Sequence, residues 1–93
     1  MDAALQQRIR DAAARLREHG ATAVYLFGSS VRGPLRDDSD IDLAVTGLPA
    51  RVFFKAVAEA SRIVGRSVDV VELDRGGEVA DALRRFEGLE LVL

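Results

Sequence analysis

Apolar residues recur along the chain at spacings that switch between the helical and the alternating pattern. Over residues 2–19 they return every third or fourth position, which predicts a helix that Gly20 would end. Residues 21–27 are apolar and rich in strand-forming side chains, which predicts a short buried strand. In residues 41–45 apolar and polar positions alternate, which predicts a second strand with one apolar face.

Glycine and proline mark the boundaries of the middle segments. Residues 28–39 are rich in Gly, Ser, Pro and Asp, which is typical of a loop, with room for one helical turn near its start. Pro49 stands where a first helical residue is expected, and helical spacing continues from there to Gly65. We therefore expect a long loop after the first strand and a second long helix after the second strand.

The last third of the chain completes the set of elements. Residues 68–73 predict a third strand, residues 79–86 a final short helix, and residues 89–93 can add a short edge strand. The order helix, strand, short helix, strand, helix, strand, helix indicates an α+β fold with helices covering a sheet of three to four strands. The link between the first two strands is too short for a helical crossover, so we expect a mixed sheet.

Composition and charge narrow the classes of protein. A length of 93 residues, 48% of them apolar, predicts a single domain over residues 1–93 with one modest core. Thirteen Lys and Arg against fifteen Asp and Glu give a net charge of −2, so we expect no direct DNA binding and no polybasic membrane patch. No apolar run approaches the ~20 residues of a membrane span, and no signal peptide is evident, so we expect a cytoplasmic protein.

The residue types present also limit the metals that the chain could hold. It contains no cysteine and one histidine, which excludes thiolate sites and histidine-clustered zinc. Any metal would therefore be bound by oxygen ligands, which favours magnesium, manganese or calcium.

Gly28 and Ser29 directly follow the first predicted strand. Glycine lets a ligand approach the backbone closely, and a turn at this point exposes N–H groups that favour phosphate oxygens, with the Ser29 hydroxyl as a further donor. The alternative interpretation is an ordinary glycine–serine turn.

Asp40 and Asp42 stand at the start of the second strand. Alternation places both carboxylates on one face while Ile41 points to the core. At about 4–6 Å and an effective dielectric of 20, their repulsion is about 3–4 kcal/mol, which a divalent cation would turn into affinity. The alternative is a solvated strand face.

Asp69 lies between Val68 and Val70 in a strand that we expect to be central. A buried carboxylate there requires a cation or hydrogen-bond donors, and the neighbouring sequence has no basic residue between Ser67 and Asp74. The alternative is a carboxylate at an exposed strand end.

Together these features form a spaced pattern. Gly28-Ser29 is followed after ten residues by Asp40-x-Asp42, and a third aspartate lies on the next strand. Through YLFGSSVRG (25–33), SDIDLAV (39–45) and VDVV (68–71), the chain resembles a minimal nucleotidyltransferase domain of the DNA polymerase β-like superfamily. It departs from many relatives in having Ser30 and Val31 after the Gly-Ser pair, so that the nearest arginine is Arg32.

The resemblance implies transfer of a nucleoside monophosphate from a nucleoside triphosphate to a hydroxyl, with two Mg²⁺ ions, or Mn²⁺, in the site. It implies that the metal ligands and catalytic residues are Asp40, Asp42 and Asp69. It implies nucleotide-binding roles for Gly28, Ser29, Arg32 and Ser39.

The resemblance also suggests a partner. Single-domain members resemble antitoxins encoded beside a HEPN-type ribonuclease toxin. In such pairs the antitoxin moves AMP from ATP to a tyrosine hydroxyl of the toxin. One alternative is a non-catalytic module that neutralises a partner by contact, using exposed apolar positions such as Phe54 and residues 89–93. Another is a catalytic subunit that modifies a small molecule or RNA. A contact module has no need for three converging carboxylates, which favours the enzyme.

Overall fold

A computed structural model of the chain describes residues 3–28, 31, 40–75, 77, 81 and 88–93. Within them it has two long helices and four strands, which are α1 (Ala3–Glu18), β1 (Ala23–Leu26), β2 (Ile41–Thr46), α2 (Phe53–Val64), β3 (Val68–Glu72) and β4 (Glu90–Leu91). The predicted final helix over residues 79–86 lies almost entirely outside the described residues, as does most of the predicted loop over residues 28–39.

The strands form one mixed sheet in the order β3-β2-β1-β4. β1 pairs antiparallel with β2 and with β4, whereas β2 pairs parallel with β3. The parallel pair is the one joined by α2, because parallel neighbours need a long crossover connection. The mixed sheet and the α+β fold that the sequence predicted are thereby confirmed.

One face of the sheet is covered by α1 and α2, which pack against each other as well. Each helix buries a stripe of apolar residues at helical spacing, which are Leu5, Ile9, Ala12, Ala13 and Leu16 on α1, and Ala56, Ala60 and Val64 on α2. Ile41, Leu43 and Val45 of β2 are fully buried beneath them. The small alanine side chains on both helices allow the helices to approach each other closely. Most of the core lies between these helices and the sheet.

The opposite face of the sheet carries a second, smaller apolar cluster. Ala44 and Leu73 are buried there, and Tyr25, Phe27 and Leu89 pack against them. Tyr25 and Phe27 are therefore packing residues. Because Ala44 is buried, β2 is covered on both faces over part of its length, whereas alternation alone predicts one apolar face.

The structure corrects two details of the predicted elements. β3 lies at the edge of the described sheet, so the prediction that Asp69 occupies a central strand is wrong. Pro49 precedes the helix in extended conformation (φ −64°, ψ 140°), and Ala50–Val52 form a 3₁₀ turn before α2 begins at Phe53. Strand order depends on tertiary pairing, which the local spacing of apolar residues does not contain.

The C-terminal segment pairs within the chain. Leu91 of β4 lies opposite Tyr25 of β1, and Val24 exchanges hydrogen bonds with its neighbours there: its N–H donates to the carbonyl of Leu93 (2.9 Å), and its carbonyl accepts from Val92 (2.8 Å). The expected short edge strand is therefore present. Neither described helix combines the length and apolar character that a membrane span requires.

Candidate functional site

The turn after β1 lies directly beside the start of β2. The N–H of Phe27 donates to the carbonyl of Asp42 (3.0 Å), which continues the antiparallel pairing to the last residue before Gly28. Gly28 has a positive φ of 66°, and a Cβ atom there would lie 3.0 Å from Oδ2 of Asp42. The positive φ favours glycine, and any other residue would also force the Asp42 carboxylate to shift away.

Asp42 lies opposite Asp69 in the parallel pair of β2 and β3. Register partners on adjacent strands project from the same face of a sheet, with backbones about 4.8 Å apart. That face is the one opposite the two helices, because Ile41 and Leu43 on either side of Asp42 are buried beneath the helices. Asp42 is half-buried and Asp69 is exposed, so the pair sits at the solvent edge of the smaller cluster.

The carboxyl group of Asp42 is the electrostatic centre of this region. Burial raises its pKa above the ordinary value of 3.8, and the charges of Asp69 and then Asp40 raise the pKa further. Asp40 is exposed and immediately precedes β2. A negative charge on Asp42 is therefore opposed both by lost hydration and by two neighbouring acids, which a cation would relieve.

The described residues contain no group of three or more acidic, histidine or cysteine side chains arranged to enclose a metal ion. What the structure shows instead is a half-buried carboxylate, that of Asp42, whose acidic neighbours Asp69 and Asp40 also offer carboxylate oxygens. These donors fit Mg²⁺ or Mn²⁺, which prefer oxygen ligands and bind through few carboxylates together with substrate phosphates.

Three of the predicted nucleotide-binding residues, Ser29, Arg32 and Ser39, lie outside the described residues. Of the predicted helical turn, the structure describes Val31, which is exposed and whose N–H donates to the carbonyl of Gly28 (3.1 Å). The structure therefore places Gly28 beside Asp42 and Asp42 opposite Asp69. The catalytic, metal-binding and nucleotide-binding roles of all seven predicted residues stay predictions.

Asp74 is a structural residue that sequence reasoning did not single out, and it lies at the opposite end of β2 and β3 from Asp42 and Asp69. Its Oδ2 accepts a hydrogen bond from the N–H of Gly47 (2.9 Å), which ties the turn after β2 to the turn after β3. Gly47 has a positive φ of 78°. The signal in the sequence was a glycine at a strand end, but its partner 27 residues later could be found only from the fold.

His19 belongs to the other side of the molecule. The structure places its Nε2 2.7 Å from Oε2 of Glu59 on α2. This contact joins the end of α1 to α2 on the helical side of the sheet, away from Asp42 and Asp69.

The chain is similar to proteins of known structure over most of its length. It matches a candidate minimal nucleotidyltransferase with 27% identity and a TM-score of 0.73, over 92% of this chain and 90% of that one. It also matches a toxin–antitoxin structure with AMP-PNP (22% identity, TM-score 0.71, 95% of this chain and 72% of that one). A third match is the complex of tri-AMPylated Shewanella oneidensis HEPN toxin with MNT antitoxin (21% identity, TM-score 0.67, 96% and 71%).

A comparison with curated proteins found no significant match. The family model described as polymerase beta, nucleotidyltransferase, matches residues 11–83, a range that includes Gly28 and all three aspartates of the site. The glycine turn, Asp42 and Asp69 thus all lie within the matched region. The chain belongs to the polymerase β-type nucleotidyltransferase family.

Proposed function

We propose that the chain is a magnesium-dependent nucleotidyltransferase that moves AMP from ATP to a hydroxyl of a partner protein. The proposed partner is a HEPN ribonuclease toxin encoded by a neighbouring gene, the acceptor is a tyrosine hydroxyl, and the modification inactivates the toxin. The observation that carries the proposal is the placement of Asp42 beside Gly28 and opposite Asp69, in a chain of this family.

The turn at Gly28 is the proposed phosphate site. Because Gly28 has no side chain to press against Asp42, its backbone is open to a ligand next to a carboxylate. N–H groups in such a turn can donate to the β- and γ-phosphates of ATP. Ser29, Arg32 and Ser39 are proposed to add donors to the same phosphates.

Asp40, Asp42 and Asp69 are the proposed metal ligands. Two Mg²⁺ ions, or Mn²⁺, supply when bound the positive charge that draws a triphosphate to an acidic site and stabilises the attacking and leaving oxygens. Asp69, on the edge strand and exposed to solvent, can take the proton of the acceptor hydroxyl. A bond forms between that oxygen and the α-phosphorus, the bond to the β-phosphate oxygen breaks, and pyrophosphate leaves.

The similar structures support the choice of nucleotide and partner. One of those proteins was crystallised with AMP-PNP, an ATP analogue, and another complex pairs an AMPylated HEPN toxin with an MNT antitoxin. By extension we assign ATP as the substrate, the cytoplasm as the compartment, and residues 1–93 as one minimal nucleotidyltransferase domain.

The test is label transfer from ATP. The chain is incubated with ATP labelled at the α-phosphate, Mg²⁺ and the purified toxin, for wild type and for Asp42→Asn and Asp40→Asn. Asp11→Asn is the matched control, because Asp11 is an exposed acid on α1. We expect label on the toxin with wild type and Asp11→Asn, and a loss of at least about 100-fold with the other two.

Three outcomes would contradict the proposal. Neutralisation of the toxin that survives Asp42→Asn without label would show a module acting by contact alone. Label found only on RNA or on a small molecule would show a different acceptor. Transfer that persists in EDTA would exclude the proposed metal dependence.

A further inference from the structure

The outer surface of α2 displays an aromatic ring to solvent. Phe54 is 84% exposed, more than any other large apolar side chain that the structure describes. Its ring meets that of Phe53 edge to face, with centroids 5.5 Å apart and planes at 79°. Phe53 in turn packs against the main core. The exposed ring is thereby supported by a side chain that the core holds in place.

Positive charges share this side of α2 with the ring. A helix turns about 100° per residue, so positions 54, 58 and 62 form one row about 12 Å long, opposite the buried stripe. Lys55 borders the row, and Arg51 precedes it in the 3₁₀ turn. We define the α2 strip as these five exposed residues, which are Arg51, Phe54, Lys55, Ala58 and Arg62.

The α2 strip contains three cations and no acid, in a chain whose net charge is −2. Glu59 lies on the adjacent row of α2 and is held by α1, at 2.7 Å from His19 and 3.8 Å from Arg15. None of the described acids lies within salt-bridge distance of the three strip cations. The positive charges of Arg51 and Arg62 are therefore available to a partner, whereas that of Lys55 also acts on Glu59, whose pKa it helps to lower.

A shallow cavity continues the strip at its C-terminal end. It has a volume of about 270 Å³ and is lined by Arg15, Glu59, Arg62 and Ile63, between α1 and α2. Ile63 is half-buried and gives this cavity an apolar wall beside Arg62. The surface thus offers two apolar contact points, the Phe54 ring and the Ile63 wall, with Lys55 and Arg62 beside them and Glu59, which is paired with His19, at the cavity.

From this arrangement we infer that the α2 strip docks an acidic segment of the partner protein that carries large apolar side chains. The partner's identity as the toxin rests on the proposed function. Charge complementarity selects acidic residues opposite Arg51, Lys55 and Arg62, and burial of the Phe54 ring requires an apolar side chain against it. Nucleic acid fits less well, because three cations on a net acidic chain neutralise few phosphates.

The strip lies on the helical side of the sheet, whereas Asp42 and Asp69 lie on the opposite face. A partner segment docked on α2 leaves the catalytic face open to ATP and to the acceptor. The strip therefore determines the affinity for the toxin, which is measured as the KM for toxin. The aspartates on the opposite face determine kcat.

The test measures toxin binding and transfer kinetics with charge-matched variants. One variant is Phe54→Ala, and the second is Arg51→Glu combined with Arg62→Glu. The control, Arg10→Glu with Arg17→Glu, makes the same charge change on the exposed surface of α1. We expect the two strip variants to weaken toxin binding, and to raise KM for toxin, by at least about tenfold with kcat unchanged. The control should change both by less than about threefold, and thermal melts should show all variants folded.

The outcomes separate the inference from the proposed function. Strip variants that bind and modify the toxin like wild type overturn the docking inference and leave the enzyme standing. Strip-dependent binding without label transfer supports docking and overturns the enzyme. Absence of toxin binding by wild type overturns both. An RNA oligonucleotide that binds in a strip-dependent manner, while toxin binding is unaffected, also overturns the inference.

Discussion

A Cβ atom on Gly28 would lie 3.0 Å from Oδ2 of Asp42. No side chain therefore stands between the turn and the carboxylate, so that a phosphate bound to the turn would also lie beside the acid. A substitution at Gly28 should therefore disturb the site as a substitution at Asp42 does.

Gly28→Ala should abolish most transfer while lowering stability only moderately. The positive φ of Gly28 costs an L-residue about 1–2 kcal/mol, and the new methyl group displaces the Asp42 carboxylate. Gly65→Ala is the matched control, because Gly65 has a positive φ of 82° but open space around its Cβ position. Both variants should lose similar free energy of unfolding in urea, and only Gly28→Ala should lose transfer by more than about tenfold. Equal transfer by the two variants would show that contact with Asp42 is irrelevant.

Asp42→Asn should stabilise the metal-free chain at neutral pH. The raised pKa of Asp42 means that the folded state holds its proton more tightly than the unfolded state does. Stability is therefore lost as pH rises from the ordinary value of 3.8 through the folded value, and the amide removes this loss. Urea denaturation in EDTA should show a gain of up to about 1 kcal/mol at pH 7 that vanishes at pH 3. A loss of stability at pH 7, or a gain that persists at pH 3, would contradict this assignment.

Mg²⁺ should stabilise the wild-type chain through the same carboxylate. A cation that binds only the folded state adds about 2.7 kcal/mol to the free energy of unfolding when its free concentration is a hundred times its Kd. The measurement is the melting temperature with ATP, with and without Mg²⁺, in wild type and in Asp42→Asn. We expect the Mg²⁺-dependent rise in wild type to be largely absent in the variant. A rise of the same size in both proteins would place the cation elsewhere.

At neutral pH, Glu59→Gln should weaken the contact between α1 and α2. The hydrogen bond from His19 is the main cause that lowers the pKa of Glu59 below its ordinary value of 4.5, and the charges of His19, Arg15 and Lys55 add to it. A lowered pKa means that this stabilisation is present above pH 4.5 and is lost as pH falls through the folded value. Urea midpoints of wild type and variant should therefore differ at pH 7 and converge in acid.

Glu18→Gln is the control for that measurement. Glu18 also pairs with Arg15, at 3.4 Å, but its side chain is 67% exposed and stays on α1. Exposed pairs contribute little, so its midpoint should stay close to wild type at both pH values. A Glu18 variant as unstable as the Glu59 variant would show that the link between the helices is not the cause.

The helices and strands of this fold could be predicted from local spacing. Ile41 and Leu43 alternate with Asp42, and the structure places the first two under the helices and Asp42 on the other face. Phe54, named among the exposed apolar positions from the sequence, is the most exposed large apolar residue that the structure describes. Such facts depend on the period of one element alone, which the sequence contains directly.

Relations between elements could not be predicted in the same way. The edge position of β3, and with it the exposure of Asp69, depends on which strand pairs with β2, and local spacing carries no information on pairing. The burial of Ala44 follows from Leu73, which reaches the second face of the sheet from the turn after β3. The contact of Gly28 with Asp42 likewise needs the antiparallel register of β1 and β2.

The sheet is a single layer of strands, with the charged and aromatic surface of α2 on one side and the aspartates on the other. Mutations that change the exposed surface of α2 need not disturb the aspartates on the other side of the sheet. Under the proposed docking, relatives can therefore exchange one toxin for another through a few solvent-facing changes, each compatible with an intact reaction centre. Evolution of partner choice and preservation of chemistry are then independent problems for this small protein.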